Sequence, residues 1–155
     1  MFGIYLYVEQ DGESKSDVPQ DLFQGRQRLT LAQIGKQPEH EALAARCVEG
    51  ISYVGKKITL DSVVLVPAMR GKVMLRRLRV LLMASSADTQ MIEATRRSIF
   101  SSEEAERVTM QAPHVTVATF DNVEETETYV RSLQSMLPLS VTVTGIGIHR
   151  RGDKR

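Results

Sequence analysis

The sequence repeats one pattern of strand, helix and strand, and this repeat constrains the fold more than any other feature. The first copy runs from a strand that opens at Arg28 to a strand that contains Thr59, 31 positions later. The second copy runs from a strand that opens at His114 to a strand that contains Thr142, 28 positions later. The strands alternate apolar and polar residues, as half-buried β-strands do. The repeat indicates duplication of one α/β unit, and chance alternation in two β-rich segments is the competing explanation.

The same periodicity predicts six strands and three helices. The predicted strands are 2–8, 28–34, 57–66, 72–83, 114–120 and 139–148. The predicted helices run from Pro38 to a stop at Gly50, over about 89–107, and over 122–136. A polar loop is predicted over 11–21, where Gly and Pro interrupt the pattern. Strands and helices alternate with short connections, so the fold class is α+β or α/β.

The composition is that of one ordinary folded domain. The chain has 155 residues, of which 42% are hydrophobic and 25% are charged. We expect a single domain over 1–155, with pseudo-repeat lobes at about 1–67 and 72–148 and a basic tail at 149–155. The formal net charge of +1 does not by itself predict a polyanion partner.

Other features restrict the compartment and the kind of site. The single cysteine, Cys47, cannot form an internal disulfide or a cysteine-based zinc cluster. The three histidines have no metal-ligand spacing, so we expect no metal and no cofactor. The N-terminus lacks a basic signal-peptide region, and no apolar run approaches the roughly 18 residues that a membrane helix needs. These observations predict a cytoplasmic protein without membrane contact, and entry into the nucleus stays open.

The two repeats place polar side chains in matching pairs. Residues i and i+2 of a strand point to the same side, so Arg28 shares a face with Thr30 and His114 shares a face with Thr116. If the repeats pair around a pseudo-twofold axis, both faces converge on one cleft. An imidazole can carry a proton at neutral pH, and a threonine hydroxyl can donate a hydrogen bond to an anionic oxygen. The pattern therefore predicts a site for a phosphate group.

The stretch from Ala112 to Ala118, which reads APHVTVA, resembles the second motif of the two-histidine (2H) phosphoesterases. This superfamily includes the LigT-like RNA cyclic phosphodiesterases and the 2′,5′-oligoadenylate phosphodiesterases. The resemblance, taken with the repeat, spans nearly the whole chain. It implies a duplicated two-lobe α/β domain, with antiparallel sheets around a central cleft. It also implies metal-free acid–base hydrolysis, in which His114 and Thr116 belong to the catalytic motif.

The first motif departs from the family, because Arg28 stands where a histidine is expected. A guanidinium group keeps its proton at physiological pH, so it cannot act as a general base, although it can hold a phosphate. The leading hypothesis is a divergent 2H protein that binds a nucleotide or an RNA-terminal phosphate through Arg28 and Thr30, with weak or lost catalysis. Two alternatives remain: an active 2′,3′-cyclic or 2′,5′ phosphodiesterase that uses His114, and a scaffold subunit that binds a protein partner. Whether the protein is an enzyme is left open.

The remaining basic side chains are assigned from their positions in the predicted elements. Arg77 and Arg79 share a strand face, and they either bind substrate at the cleft floor or protect a sheet edge from association. Arg96 and Arg97 are expected on a solvated helix face. His40 is expected at the surface, and His149 is expected outside the cleft.

Overall fold

A computed structural model describes residues 2–10, 27–35, 37–70, 72–108 and 110–150. In chain order, the elements are β1 (Phe2–Gln10), β2 (Arg28–Gly35), α1 (Pro38–Glu49), β3 (Lys57–Arg70), β4 (Val73–Ala84), α2 (Ser86–Ile99), α3 (Ser102–Arg107), β5 (His114–Phe120), α4 (Val123–Gln134) and β6 (Leu139–Arg150). The mixed α/β fold and the six predicted strands are therefore confirmed. The predicted loop at 11–21 and the tail beyond residue 150 lie outside the described residues.

The prediction of one helix over 89–107 is wrong, because the segment forms two helices, α2 and α3. The chain is extended at Phe100, whose side chain is buried in the core. Ser101 then starts a new helix: its hydroxyl accepts a hydrogen bond from the Glu104 N–H, and the Glu104 carboxylate accepts one from the Ser101 N–H at 2.9 Å. This reciprocal capping satisfies two donors that a helix start otherwise leaves unpaired.

The six strands are antiparallel and close into a ring in the order β1-β2-β5-β4-β3-β6. Long ladders join β1 to β2 and β6, and join β4 to β3 and β5. The two remaining contacts are shorter. Strands β3 and β6 pair through Lys57–Leu60, and β2 meets β5 only where Leu29 faces Val115. The ring therefore consists of two well-paired groups of three strands that meet at two narrower seams.

The core lies between the strands and the helices. One face of each strand carries buried aliphatic residues, such as Leu29 in β2, Leu82 in β4 and Val115 in β5. These residues pack in one cluster with Ile92 of α2 and Leu133 of α4. Strand side chains alternate in direction, so the residues between these buried positions point to the opposite face, which is the interior of the ring.

The longest described helix, α2, has 14 residues. None of the described helices has the length and apolar character that crossing a membrane requires.

Candidate functional site

A cavity of about 410 Å³ lies beside the seam between β2 and β5. Its described lining consists of Tyr5, Arg28, Thr30, Gln33, Arg79, Gln111, His114 and Thr116. The structure thus brings together five side chains that the sequence assigned to a site: Arg28, Thr30, Arg79, His114 and Thr116. The sixth, Arg77, is exposed to solvent and is not among the described lining residues.

The seam explains why these residues converge. Leu29 and Val115 face each other in its single residue pair, and both side chains are buried in the core. The residues that flank Leu29, Arg28 and Thr30, must then point to the opposite face. The same alternation around Val115 directs His114 to that face. The polar face of each strand therefore lines the cavity, and the core fixes its position.

His114 has a defined hydrogen-bonding role in the cavity. Its Nδ1 lies 2.7 Å from the backbone oxygen of Ala112. A carbonyl oxygen carries no proton, so Nδ1 is the donor and the neutral ring keeps its proton there. The intervening Pro113 is buried, and its own carbonyl accepts a hydrogen bond from the Ala84 N–H, which holds this turn against β4. The Nε2 atom of His114 is therefore the ring nitrogen left for a ligand.

Two arginines approach the cavity from different strands. The guanidinium carbon of Arg28 lies 4.4 Å from the centre of the Tyr5 ring, a distance typical of a cation–π contact. The Nε atom of Arg79 is buried and has no hydrogen-bond partner among the described residues. A buried donor without a partner costs about 1–3 kcal/mol.

The electrostatic character of the cavity favours an anion. Its described lining includes two guanidinium groups and no carboxylate. Hydroxyl, amide and imidazole groups supply further donors around the same space. The described residues contain no cluster of three histidine, cysteine, aspartate or glutamate side chains that could hold a metal ion. The arrangement can bind and orient a phosphate, and His114 can transfer a proton to or from it.

Gln33 is a lining residue that simple alternation misses. Gln33 lies three positions after Thr30, and an odd offset puts two strand residues on opposite faces, so strict alternation predicts that Gln33 faces the core. The register between β1 and β2 shifts, however, because Ile4 pairs with Ala32 whereas Tyr5 pairs with Thr30. The extra residue, Leu31, forms a bulge that reverses the alternation. Gln111 and Tyr5 also lack a sequence signal that would assign them to the cavity.

The expectation of a solvated Arg96 is wrong. Its side chain is only 1% exposed, and its Nε donates to the backbone oxygen of the bulge residue Leu31 at 2.8 Å. The Nη2 atom of Arg96 donates to the backbone oxygen of Thr30 at 3.4 Å, and its Nη1 atom lies 2.8 Å from Oε1 of Glu93. Burial lowers the pKa of Arg96, and Glu93 opposes that shift. Arg96 therefore holds the backbone of β2 in place at the point where only one residue pair joins β2 to β5. Arg97 is exposed, as expected.

The other two histidines have separate surroundings. His40 is partly buried, and its Nδ1 accepts a hydrogen bond from the Gln37 N–H at the start of α1, at 3.0 Å. The surface expectation for His40 is thus incomplete, because the ring caps a helix. The ring of His149 packs against Tyr5 and Tyr7, with centroid distances of 5.7 and 5.6 Å. Neither histidine is among the described lining residues of the cavity.

No family model matches this sequence, and no curated protein matches it significantly. The function is therefore inferred from the cavity and from the strands that form it.

Proposed function

We propose that this protein binds the phosphate of a nucleotide or an RNA terminus in the cavity, as a divergent 2H phosphoesterase whose catalysis is weak or lost. One observation carries the proposal. Arg28, Thr30, Arg79, His114 and Thr116 line one cavity whose described lining has no acidic side chain. Guanidinium and hydroxyl groups that converge in this way suit a phosphate. Thr30, Arg79, His114 and Thr116 are partly buried, and this setting strengthens their hydrogen bonds to an anion relative to water.

Three observations support the duplication that the proposal assumes, and strand order is the first. The ring order β1-β2-β5-β4-β3-β6 is unchanged when β2 exchanges with β5, β1 with β4, and β6 with β3. The helices obey the same exchange, since α1 packs on β1, β2 and β6, whereas α4 packs on β3, β4 and β5. A pseudo-twofold axis between β2 and β5 accounts for both patterns.

The bulges provide the second observation. In β2 the extra residue is Leu31, which precedes Ala32. In β5 the register shifts in the same way, because Thr116 pairs with Leu81 and Ala118 pairs with Val80, which leaves Val117 as the extra residue. The two strands, RLTLA and HVTVA, therefore bulge at the same point of the same pattern. Bulges often lie next to active sites, where they redirect side chains.

The third observation is the register around the two motifs. Arg28 faces Tyr7, and Thr30 faces Tyr5, across the pair of strands β1 and β2. Likewise, His114 faces Met83 in the pair β4 and β5. Arg28 and His114 therefore occupy equivalent positions, and this equivalence supports the proposal that Arg28 replaces the first histidine of a 2H site.

The proposed chemistry follows from which groups in the cavity can remove or donate a proton. Hydrolysis of a phosphodiester needs one group that removes a proton from the attacking oxygen and another that protonates the leaving oxygen. His114 can fill one of these roles through Nε2. Arg28 has only donors, so it stabilises the phosphate and cannot remove a proton. We therefore expect binding with slow turnover. The hydroxyl of Thr30 or a water is the remaining candidate for the second role.

Binding of nucleoside 2′- and 3′-monophosphates tests the proposal. The variant Arg28→Ala is expected to raise Kd about 10- to 100-fold, because a charge-assisted hydrogen bond contributes about 1.5–3 kcal/mol. Isothermal titration calorimetry measures both proteins, and Arg97→Ala, which removes an exposed arginine on α2, is the matched control. Equal affinity of wild type and Arg28→Ala would exclude this site.

Active hydrolysis is the second candidate function, and the tautomer of His114 favours it because Nε2 is free to act on a substrate. Rapid wild-type turnover of a 2′,3′-cyclic nucleotide, abolished in His114→Ala, would establish that function. The absence of both turnover and nucleotide binding would favour the scaffold hypothesis.

A further inference from the structure

Strands β3 and β4 extend beyond the ring as a two-stranded ribbon. β3 pairs with β6 only through Lys57–Leu60, and β4 pairs with β5 only between Leu78 and Met83. Among the described residues, 68–70 of β3 and 73–77 of β4 pair with no strand other than each other. We call residues 68–70 and 72–77 the basic ribbon.

Charge distinguishes the basic ribbon from the rest of the protein. Residues 62–87 contain five Lys or Arg residues and no Asp or Glu, whereas the whole chain has a net charge of +1. The rest of the chain therefore carries −4. In the described structure, Lys72, Arg76 and Arg77 are exposed to solvent. An exposed, single-sign segment on an otherwise acidic protein is an electrostatic site for a polyanion.

The basic ribbon is continuous with the cavity. Arg77 and Arg79 flank Leu78, which pairs with Pro67 at the end of the regular ladder, so the two arginines are close neighbours along β4. Their α-carbons are separated by roughly 6.6 Å at the usual strand rise. Arg79 lines the cavity, and Arg77 is the next cation along β4 and is exposed to solvent. A chain of phosphates that leaves the cavity past Arg79 therefore meets Arg77.

The pairing of β3 and β4 is irregular next to these arginines. Between the pairs Pro67–Leu78 and Met69–Met74, β3 has one residue whereas β4 has three, residues 75–77. A bulge of this kind bends the strand and redirects side chains. Arg76 and Arg77 both lie in it, outside the regular ladder.

We propose that the basic ribbon binds the phosphodiester chain of a single-stranded oligonucleotide whose terminal phosphate occupies the cavity. This inference rests on the proposed function and specifies its ligand as an extended chain. Each phosphate that a cation neutralises releases bound counterions, so the ribbon adds affinity that depends strongly on salt. A mononucleotide whose single phosphate occupies the cavity has no second phosphate to offer Arg76 and Arg77, so it gains less from the basic ribbon.

The test compares uridine 3′-monophosphate with an oligouridylate of about eight nucleotides that carries a 3′-phosphate. The ribbon variant is Arg76→Ser/Arg77→Ser. The matched control is Arg97→Ser/Arg131→Ser, which removes two exposed arginines from helices. Fluorescence anisotropy at several salt concentrations gives Kd and the slope of log Kd against log salt.

Wild type is expected to bind the oligonucleotide at least about 10-fold more tightly than the monophosphate. The ribbon variant is expected to lose that advantage, with a salt slope smaller by about 1.4, because each charge contributes about 0.7 on single strands. The control variant is expected to keep both the tighter binding of the oligonucleotide and the wild-type salt slope.

The outcomes separate the basic ribbon from the cavity. Failure of the monophosphate to bind wild type would overturn the proposed function, and with it the placement of the terminal phosphate. Normal monophosphate binding with no oligonucleotide advantage, or an equal loss in both double variants, would overturn the basic ribbon alone. Displacement of the oligonucleotide by poly-glutamate at similar charge concentration would replace the nucleic acid with an acidic protein partner.

Discussion

Arg28→His is expected to raise the rate of hydrolysis of 2′,3′-cyclic nucleotides by about 10²–10⁴-fold over wild type. This range is what general acid–base catalysis usually contributes. The position suits an imidazole, because Arg28 is exposed on the cavity face and stands opposite Tyr7 as His114 stands opposite Met83. Initial rates on 2′,3′-cyclic nucleotides and on 2′,5′-oligoadenylate provide the measurement.

Two further variants separate acid–base catalysis from other effects of the substitution. Arg28→Gln removes the charge without supplying a base, so its rate at saturating substrate should be no higher than that of wild type. Arg28→His/His114→Ala should fall back to the same level, because a single imidazole cannot fill both roles. If Arg28→His and Arg28→Gln hydrolyse the substrates equally slowly while still binding them, position 28 is not the missing base.

Arg96→Met is expected to lower the free energy of unfolding by about 2–4 kcal/mol. The substitution keeps a long apolar chain but removes the donors to the Leu31 and Thr30 oxygens. Each buried acceptor left without a partner costs about 1–3 kcal/mol. Glu93 adds less, since its side chain is 42% exposed and stays hydrated when its partner is lost. Urea unfolding measures the change. Arg97→Met, at the adjacent exposed position, should lie within about 0.5 kcal/mol of wild type.

Phosphate affinity shows whether Arg96 positions β2 at the cavity or only stabilises the fold. The folded Arg96→Met protein should bind nucleoside monophosphate more weakly than Arg97→Met, because Thr30 loses its backbone support. Arg96→Lys, which retains one cation and three donors, should recover part of both effects. An Arg96→Met protein that is as stable as wild type would show that ladder bonds alone hold β2.

Strand positions were predictable because a period of two is a strong signal in β-branched, half-buried segments. The strand at 114–120 has its predicted bounds, and most of the others extend a few residues further. The break between α2 and α3 was readable in principle, since Ser101 and Glu104 have capping-box spacing. Apolar and helix-forming residues on both sides concealed it. No local pattern predicts that β2 contacts β5 through one residue pair, because that seam depends on how the whole ring closes.

The cavity was predictable where alternation holds and not where it fails. Thr30 and Thr116 follow their partners at i+2, so the sequence places each pair on one face. Gln33 lies beyond the Leu31 bulge, which only the register of β1 reveals. Arg96 has the spacing of an exposed helix residue and pairs with Glu93 at i−3, so its burial depends on tertiary contacts with β2.

Nitrogen-15 NMR of the histidine rings tests the central claim, that His114 offers Nε2 to a phosphate in the cavity. The structure predicts opposite neutral tautomers for two histidines: His114 keeps its proton on Nδ1, whereas His40, whose Nδ1 accepts from the Gln37 N–H, keeps its proton on Nε2. His40 therefore serves as an internal control. On addition of uridine 3′-monophosphate, the Nε2 resonance of His114 should shift in a saturable manner while both ring resonances of His40 stay fixed. A ligand-saturated spectrum in which His114 is unchanged, or in which His40 shifts as much as His114, would contradict a phosphate site in this cavity.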